Sequence, residues 1–283
     1  GEPPCRRFIL QRISSAAFKH PDEVMANIVG VTSFLGEKIK EAGGNPARET
    51  MSVWATKSGE NFYTDSEGGA WRVYPFVEDT ICLQKAETPE LFAASARAFG
   101  KFQRMLKDYP ADTLYETIPK FHDTEDRLAK LKAAVAADVM DRVKEVGPEL
   151  KFVQEREADC SVALSALRDG RLPLRVTHND TKLNNILIDR ESGEGICVID
   201  LDTVMPGLAI NDFGDSIRFG ANHSAEDERD LTKVNFDLEL FDVYAAGFLE
   251  GAGGALTETE LDYLPWGAKL MTLECGIRFL TDY

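Results

Sequence analysis

The chain has 283 residues, enough for one large or two modest domains, and its 43% hydrophobic content supplies an ordinary core. A net charge of −16 argues against a nucleic-acid partner, because a phosphate backbone is bound mainly by Lys and Arg. The five cysteines are scattered without a C-x-x-C pair, which points away from a disulfide framework or zinc site; no apolar run reaches ~18 residues and no signal peptide opens the chain, so the expected location is cytoplasmic with no membrane contact.

Arg7–Ile13 reads as a strand. Pro21-Asp-Glu then starts a helix, with proline and acids in the first turn where they are favoured. Val24, Ile28, Val31, Leu35 and Ile39 recur at helical spacing, and Gly43-Gly44 ends the run. Three β segments follow, Met51–Ala55, Asn61–Thr64 and Ala70–Val77, separated by Gly-containing turns. From Thr88 the texture is helical. Phe92, Ala96, Phe99, Phe102 and Leu106 mark one amphipathic helix; a second runs from about residue 123 to 146, is interrupted by Gly147-Pro148, and is followed by a third to about Arg168. Helices over about 234–250 and 258–283 close the chain after a polar break at 222–229. The order predicts an α+β protein of two lobes, with a small β-rich lobe over 1–79 and a larger, mainly helical lobe over 80–283. Residues 74–80 sit at the junction, where a nucleotide cleft is expected. Backbone groups of Phe76, Val77 and Glu78 either hydrogen-bond adenine there or belong to an ordinary interlobe strand.

The chemistry is concentrated in Val176–Asn185 and Val198–Asp202. The first stretch holds His178, Asp180, Lys182 and Asn185 as H-x-D-x-x-x-x-N, and the second places Asp200 at the end of an apolar strand. Phosphoryl transfer uses these parts: one Asp to orient and deprotonate a hydroxyl, and an Asn with a second Asp to hold Mg²⁺. Ile186–Asp189 and Ile196–Ile199 flank a polar segment with two glycines and read as a hairpin centred near Ser192-Gly193. Asn185 and Asp200 then lie at about equal distance from the turn and emerge together at its open end. An amide oxygen and a carboxylate there suit Mg²⁺, which takes few protein oxygens beside phosphate and water. Lys182 is placed to neutralise charge on the transferred group. His178 reads as a loop-bracing residue. With so acidic a chain, ATP has to be met by local cations and Mg²⁺ rather than by the overall field.

Thr177–Asn185, Val198–Gly207 and Asn211–Gly220 together resemble the aminoglycoside phosphotransferase/choline kinase superfamily, and within it the N-acetylhexosamine 1-kinases. Arg72–Thr80 and Gly276–Tyr283 are similar to the same subgroup, so the resemblance runs from about Phe8 to Tyr283. It implies a protein-kinase-like bilobal fold and transfer of the ATP γ-phosphate to the anomeric hydroxyl of N-acetylglucosamine or N-acetylgalactosamine. It further implies Asp180 as base, Asn185 and Asp200 as Mg²⁺ ligands, Asp202 as an outer or second-metal carboxylate, and Phe219 and Arg278 as lining of the sugar pocket. Asp212 reads as a structural brace.

Two departures accompany the resemblance. The phosphate-covering loop of the family has no counterpart in Gly1-Glu-Pro-Pro4, and the family continues beyond Tyr283, so the sequence is expected to be an internal part of a longer protein or an ordered fragment. The strand lysine of protein kinases is also missing from Phe8–Ile13; Arg12 is the candidate to meet the nucleotide phosphates, with Glu23 one option for its helix partner. Another acceptor, such as choline, an aminoglycoside or a different sugar, is compatible with the same fold, as is a non-catalytic nucleotide-binding relative.

Overall fold

The computed structural model describes residues 7–224 and 228–283, so Gly1–Pro4 and part of the expected polar break lie outside the described residues. β1 (Phe8–Arg12) is followed by α1 (Pro21–Glu41), the short α2 (Pro46–Glu49), β2 (Tyr63–Thr64) and β3 (Ala70–Pro75). β3 is central, antiparallel to both β1 and β2. Its side chains alternate. Ala70, Arg72 and Tyr74 are buried, while Trp71, Val73 and Pro75 are half-buried. The register sets Gln11 opposite Arg72 and Arg12 opposite Trp71, so Gln11 shares the inner face and Arg12 the outer one. Met51–Ala55 does not form the expected strand; it touches β3 through Trp54 N–H to Val73 O at 2.8 Å and packs Trp54 against Phe8.

The stripe of α1 foreseen from its periodicity is buried, and it joins Ile13 and Ala70 to Phe102, Leu106, Val176, Leu201 and Val204 of the large lobe. One core therefore crosses the lobe boundary. β4 (Thr80–Ile81), in the segment joining the lobes, precedes α3 (Pro89–Met105), α4 (Thr124–Ala137), α5 (Gly147–Gln154) and α6 (Val162–Arg168). The long helix expected to reach residue 146 stops at Ala137, because Asp138 turns into the left-handed region at φ 38° and caps it. Gly147-Pro148 starts α5 rather than interrupting a helix, since proline tolerates the first turn.

β5 (Arg175–Thr177), β6 (Ile186–Asp189), β7 (Gly195–Val198) and β8 (Met205–Gly207) carry the polar motifs, and α7 (Ala209–Gly220), α8 (Leu238–Ala252) and α9 (Glu258–Asp282) complete the lobe. β6 and β7 form the expected hairpin, closed by Asp189 N–H to Glu194 O and by Gly193 at φ 73°. β4 adds to β6 as a third strand, a pairing that two residues could not announce in sequence. β5 pairs with β8 and fixes the start of the polar loop. Phe92, Phe99, Phe213, Tyr244 and Phe248 fill the core between α3, α7 and α8. Among the described residues, no helix is long and apolar enough to cross a membrane.

Candidate active site

The loop after β5 is held from behind by α7. Asp212 accepts from the backbone N–H of His178 at 2.9 Å and of Asn179 at 2.8 Å, and from Gln103 Nε2 at 2.8 Å. One turn on, Asp215 accepts from Thr181 N–H at 3.1 Å, and Ser216 Oγ donates to Thr181 O at 2.6 Å. Complete burial pushes the Asp212 carboxyl above the usual carboxylate range, against the donors that hold it. Asn179 occupies the left-handed region at φ 65°, a conformation Asn accepts readily, and its Nδ2 donates to Thr203 O at 2.8 Å. His178 receives the Asp180 N–H at Nδ1, 3.3 Å, so its hydrogen sits on Nε2 and bonds Ile199 O at 2.8 Å. It braces the loop to the end of the hairpin.

These bonds leave the Asp180 carboxylate about one-third exposed, at 32%. Asn185 Nδ2 donates to its Oδ2 at 3.1 Å and to its main-chain oxygen at 2.7 Å, while Lys182 Nζ stands 3.0 Å from Oδ1. With Nδ2 so committed, Asn185 turns its Oδ1 away from Asp180. Ile199 N–H bonds Asn185 O at 2.9 Å, which puts Asn185 and Asp200 at the open end of the hairpin. Asp200 is exposed and left-handed at φ 59°. An oriented amide oxygen beside an exposed carboxylate fits a Mg²⁺ that takes its remaining ligands from phosphate and water.

Asp202, two residues on, is ion-paired with Arg72 of β3. Burial raises the Asp202 carboxyl above its ordinary value while Arg72 opposes that rise. The Arg72 guanidinium also donates to Gln11 Oε1 from Nε at 3.1 Å and from Nη2 at 2.8 Å, lies 3.9 Å from Met25 Sδ, and is 5.1 Å from the Tyr74 ring. The α1 residue that meets this guanidinium is Met25. Arg12 is exposed on the opposite face of the sheet, 5.9 Å from the Trp71 ring.

Residues 46–251 match the phosphotransferase enzyme family, which covers most of the chain. The chain belongs to that family. Solved structures agree in fold. The amicoumacin kinase with AMP-PNP, Ca²⁺ and its ligand is 15% identical, with a TM-score of 0.58 over 98% of this chain and 75% of that one. An aminoglycoside phosphotransferase of Streptomyces rimosus with ADP and streptomycin is 16% identical, with a TM-score of 0.55 over 94% and 86%. The GDP complex of aminoglycoside 2′-phosphotransferase-IIIa is 13% identical, with a TM-score of 0.61 over 100% and 83%.

At the lobe junction of this phosphotransferase, Phe76 N–H is bonded to Arg7 O at 3.0 Å, Val77 O accepts from Thr80 at 2.9 Å, and Glu78 O accepts from Arg48 at 3.2 Å. The Arg7 guanidinium covers the Phe76 ring at 3.9 Å and pairs with Glu78, holding that carboxyl below its ordinary range. A cleft of about 1240 Å³ opens between the segment after the junction and the ends of α7 and α9; Leu183, Phe219, Leu240 and Phe279 give it apolar walls. Phe219 is thus part of the cleft wall. Arg278 is exposed beside the Phe279 ring, 5.3 Å away, and is not itself part of the cleft wall.

Two groups escaped the sequence reading. Arg72 was hidden in a string that otherwise signalled the junction. His122 lies between Glu274 Oε1, 3.1 Å from Nδ1, and Asn179 O, 3.2 Å from Nε2. No local pattern marks it, because both partners are distant in sequence.

Proposed function

We propose that this phosphotransferase moves the γ-phosphate of ATP to the anomeric hydroxyl of an N-acetylhexosamine. The observation that carries the reading is the Asp180 carboxylate, fixed by Asn185 and Lys182 yet open to an acceptor, beside Asp200 at the hairpin mouth. Asp180 takes the hydroxyl proton as the acceptor oxygen bonds the γ-phosphorus, and the bond to the bridging oxygen breaks to release ADP. In this reading Lys182, paired with Asp180, offsets charge on the transferred group. Asn185 Oδ1 and Asp200 would hold Mg²⁺, whose chemistry there is to screen the phosphate oxygens. Among the described residues, Phe76 N–H, Val77 O and Glu78 O are engaged, so adenine is assigned to Phe76 O and the N–H of Val77 and Glu78. The sugar is supported by the resemblance of the loop and strand-end strings and by the aromatic walls of the cleft, with Phe219 against the ring and Arg278 reaching a hydroxyl from the rim.

Glu87, Asp237 and Glu239 also line the cleft and favour a second reading, a cationic acceptor of the aminoglycoside or amino-alcohol kind. Lys85, Arg218 and His223 line it as well, with Arg218 paired to Asp215 and His223 to Asp237, so the wall is of mixed sign, which suits a neutral sugar better. A panel read by ADP release separates the two: N-acetylglucosamine and N-acetylgalactosamine should be consumed with loss of their reducing ends. Turnover of choline, aminopropanol or an aminoglycoside with none of either sugar replaces the acceptor assignment. No ADP from any acceptor leaves a nucleotide-binding protein without transfer.

A further inference from the structure

Gln11 occupies the position on β1 that faces inward, opposite Arg72. Arg72 is buried, with its side chain 1% exposed, and it spends its donors on Gln11, Asp202 and the Met25 sulfur. It cannot reach a ligand in the cleft. Gln11, by contrast, is exposed. A guanidinium has only donors, so the oxygen of the Gln11 amide must face Arg72, and the orientation of the amide is fixed by chemistry. Its two Nε2 hydrogens are then turned away from Arg72, whose carboxylate partner Asp202 lies two residues after Asp200.

We propose that the Gln11 amide is the small lobe's donor to the nucleotide phosphates, and that Arg72 is a positioning residue that aims and polarises it. A cation set back behind an amide replaces a lysine ammonium at the phosphates. Asp202 is engaged by Arg72 in this arrangement and leaves Asp200 as the strand-end carboxylate for the metal. The inference rests on the nucleotide reading of the cleft, and the experiment keeps the two apart.

Binding of ADP with Mg²⁺ and of adenosine is measured by calorimetry on the full chain, together with thermal midpoints. Q11A should weaken ADP about tenfold or more, the loss of a hydrogen bond to a charged group, and leave adenosine unchanged. Q11E still accepts from Arg72, so its midpoint should stay at or above that of the parent, while ADP binds more weakly than to Q11A because a carboxylate now faces phosphate. Q11K sets an ammonium against the guanidinium and should lower the midpoint without tightening ADP. R72K alone should weaken ADP, and R72K added to Q11A should cost little more, since Arg72 acts through Gln11. Unchanged ADP affinity in Q11E, or equal losses of ADP and adenosine in Q11A, overturns the role of Gln11. Tighter ADP binding by Q11K with an unchanged midpoint does so as well. A parent protein that binds neither ligand removes the nucleotide reading itself, and this proposal with it.

Discussion

His178 and His122 touch the same loop and are wired oppositely. His178 accepts at Nδ1 and donates at Nε2, whereas both nitrogens of His122 face acceptors, Glu274 Oε1 and Asn179 O. Two acceptors require two ring hydrogens, so the His122 geometry is that of the imidazolium. Burial works against that charge, and the bond to Glu274 with the nearby charges of Glu274 and Asp215 outweighs it, raising the pKa of His122. Arg127, 3.9 Å from Glu274, and Arg218, paired with Asp215 at 2.9 Å, are further cations of the cluster. A folded pKa above the unfolded value gives stability that is complete below about 6.5, the unfolded value, and fades as pH rises through the folded one. The midpoint gap between the parent and His122→Gln should therefore narrow from pH 6 to 9; a gap that widens contradicts the imidazolium. On the proposed mechanism, Asp180→Asn removes the proton acceptor and should lower kcat by about 10²–10⁴-fold while calorimetric ADP binding persists. Turnover equal to that of the parent removes Asp180 from the chemistry.

The site depends on how closely its supporting elements approach. α7 carries Asp212, Asp215 and Ser216 to the loop, and α9 carries Glu274 to His122. The two helices cross at Gly214 and Gly267, where a Cβ on Gly214 would fall on the Gly267 main chain and one on Gly267 on the Ile210 carbonyl. Backbone on both sides cannot rotate away as a side chain could. Gly214→Ala should cost about 1–3 kcal/mol of stability by urea titration, the range for overpacking. It should also lower kcat at temperatures where the variant is fully folded, since Asp212 and Asp215 move with the helix. A neutral substitution shows that the crossing can widen freely.

Across the molecule, the small lobe is fastened to the segment that follows the β6–β7 hairpin. Asn27 of α1 donates to Tyr115 O at 2.8 Å and Val204 O at 2.9 Å and accepts from Tyr115 N–H at 2.9 Å, all from a side chain buried in the core. Arg72 reaches Asp202, and Arg48 reaches Asp189 at the hairpin turn, 2.8 Å away. With one apolar core shared between the lobes, the chain should unfold in a single transition. Asn27→Ala strands buried backbone groups and should cost about 3 kcal/mol while keeping that single transition in calorimetry. Two resolved transitions in the parent would mean that the lobes fold independently.

The sequence by itself determined the loop and the hairpin. His178 through Asn185 and the two arms to Asp200 are contiguous, so chain geometry alone brings the groups together, and the helical stripes of α1 and α3 announce their own buried faces. It also determined that His178 would be a brace. Periodicity could not determine where the long helix after residue 123 would end, because a left-handed Asp138 is a local choice among several polar residues. Only the tertiary structure decided which strand cation is inward. Neighbouring strand residues face opposite ways, so assigning the role to Arg12 or to Gln11 with Arg72 turns on a register set by a partner strand some sixty residues away. His122 and Glu274, 152 residues apart, became a pair only when α9 packed behind the loop. A buried charge is defined by what surrounds it, and that is settled by packing.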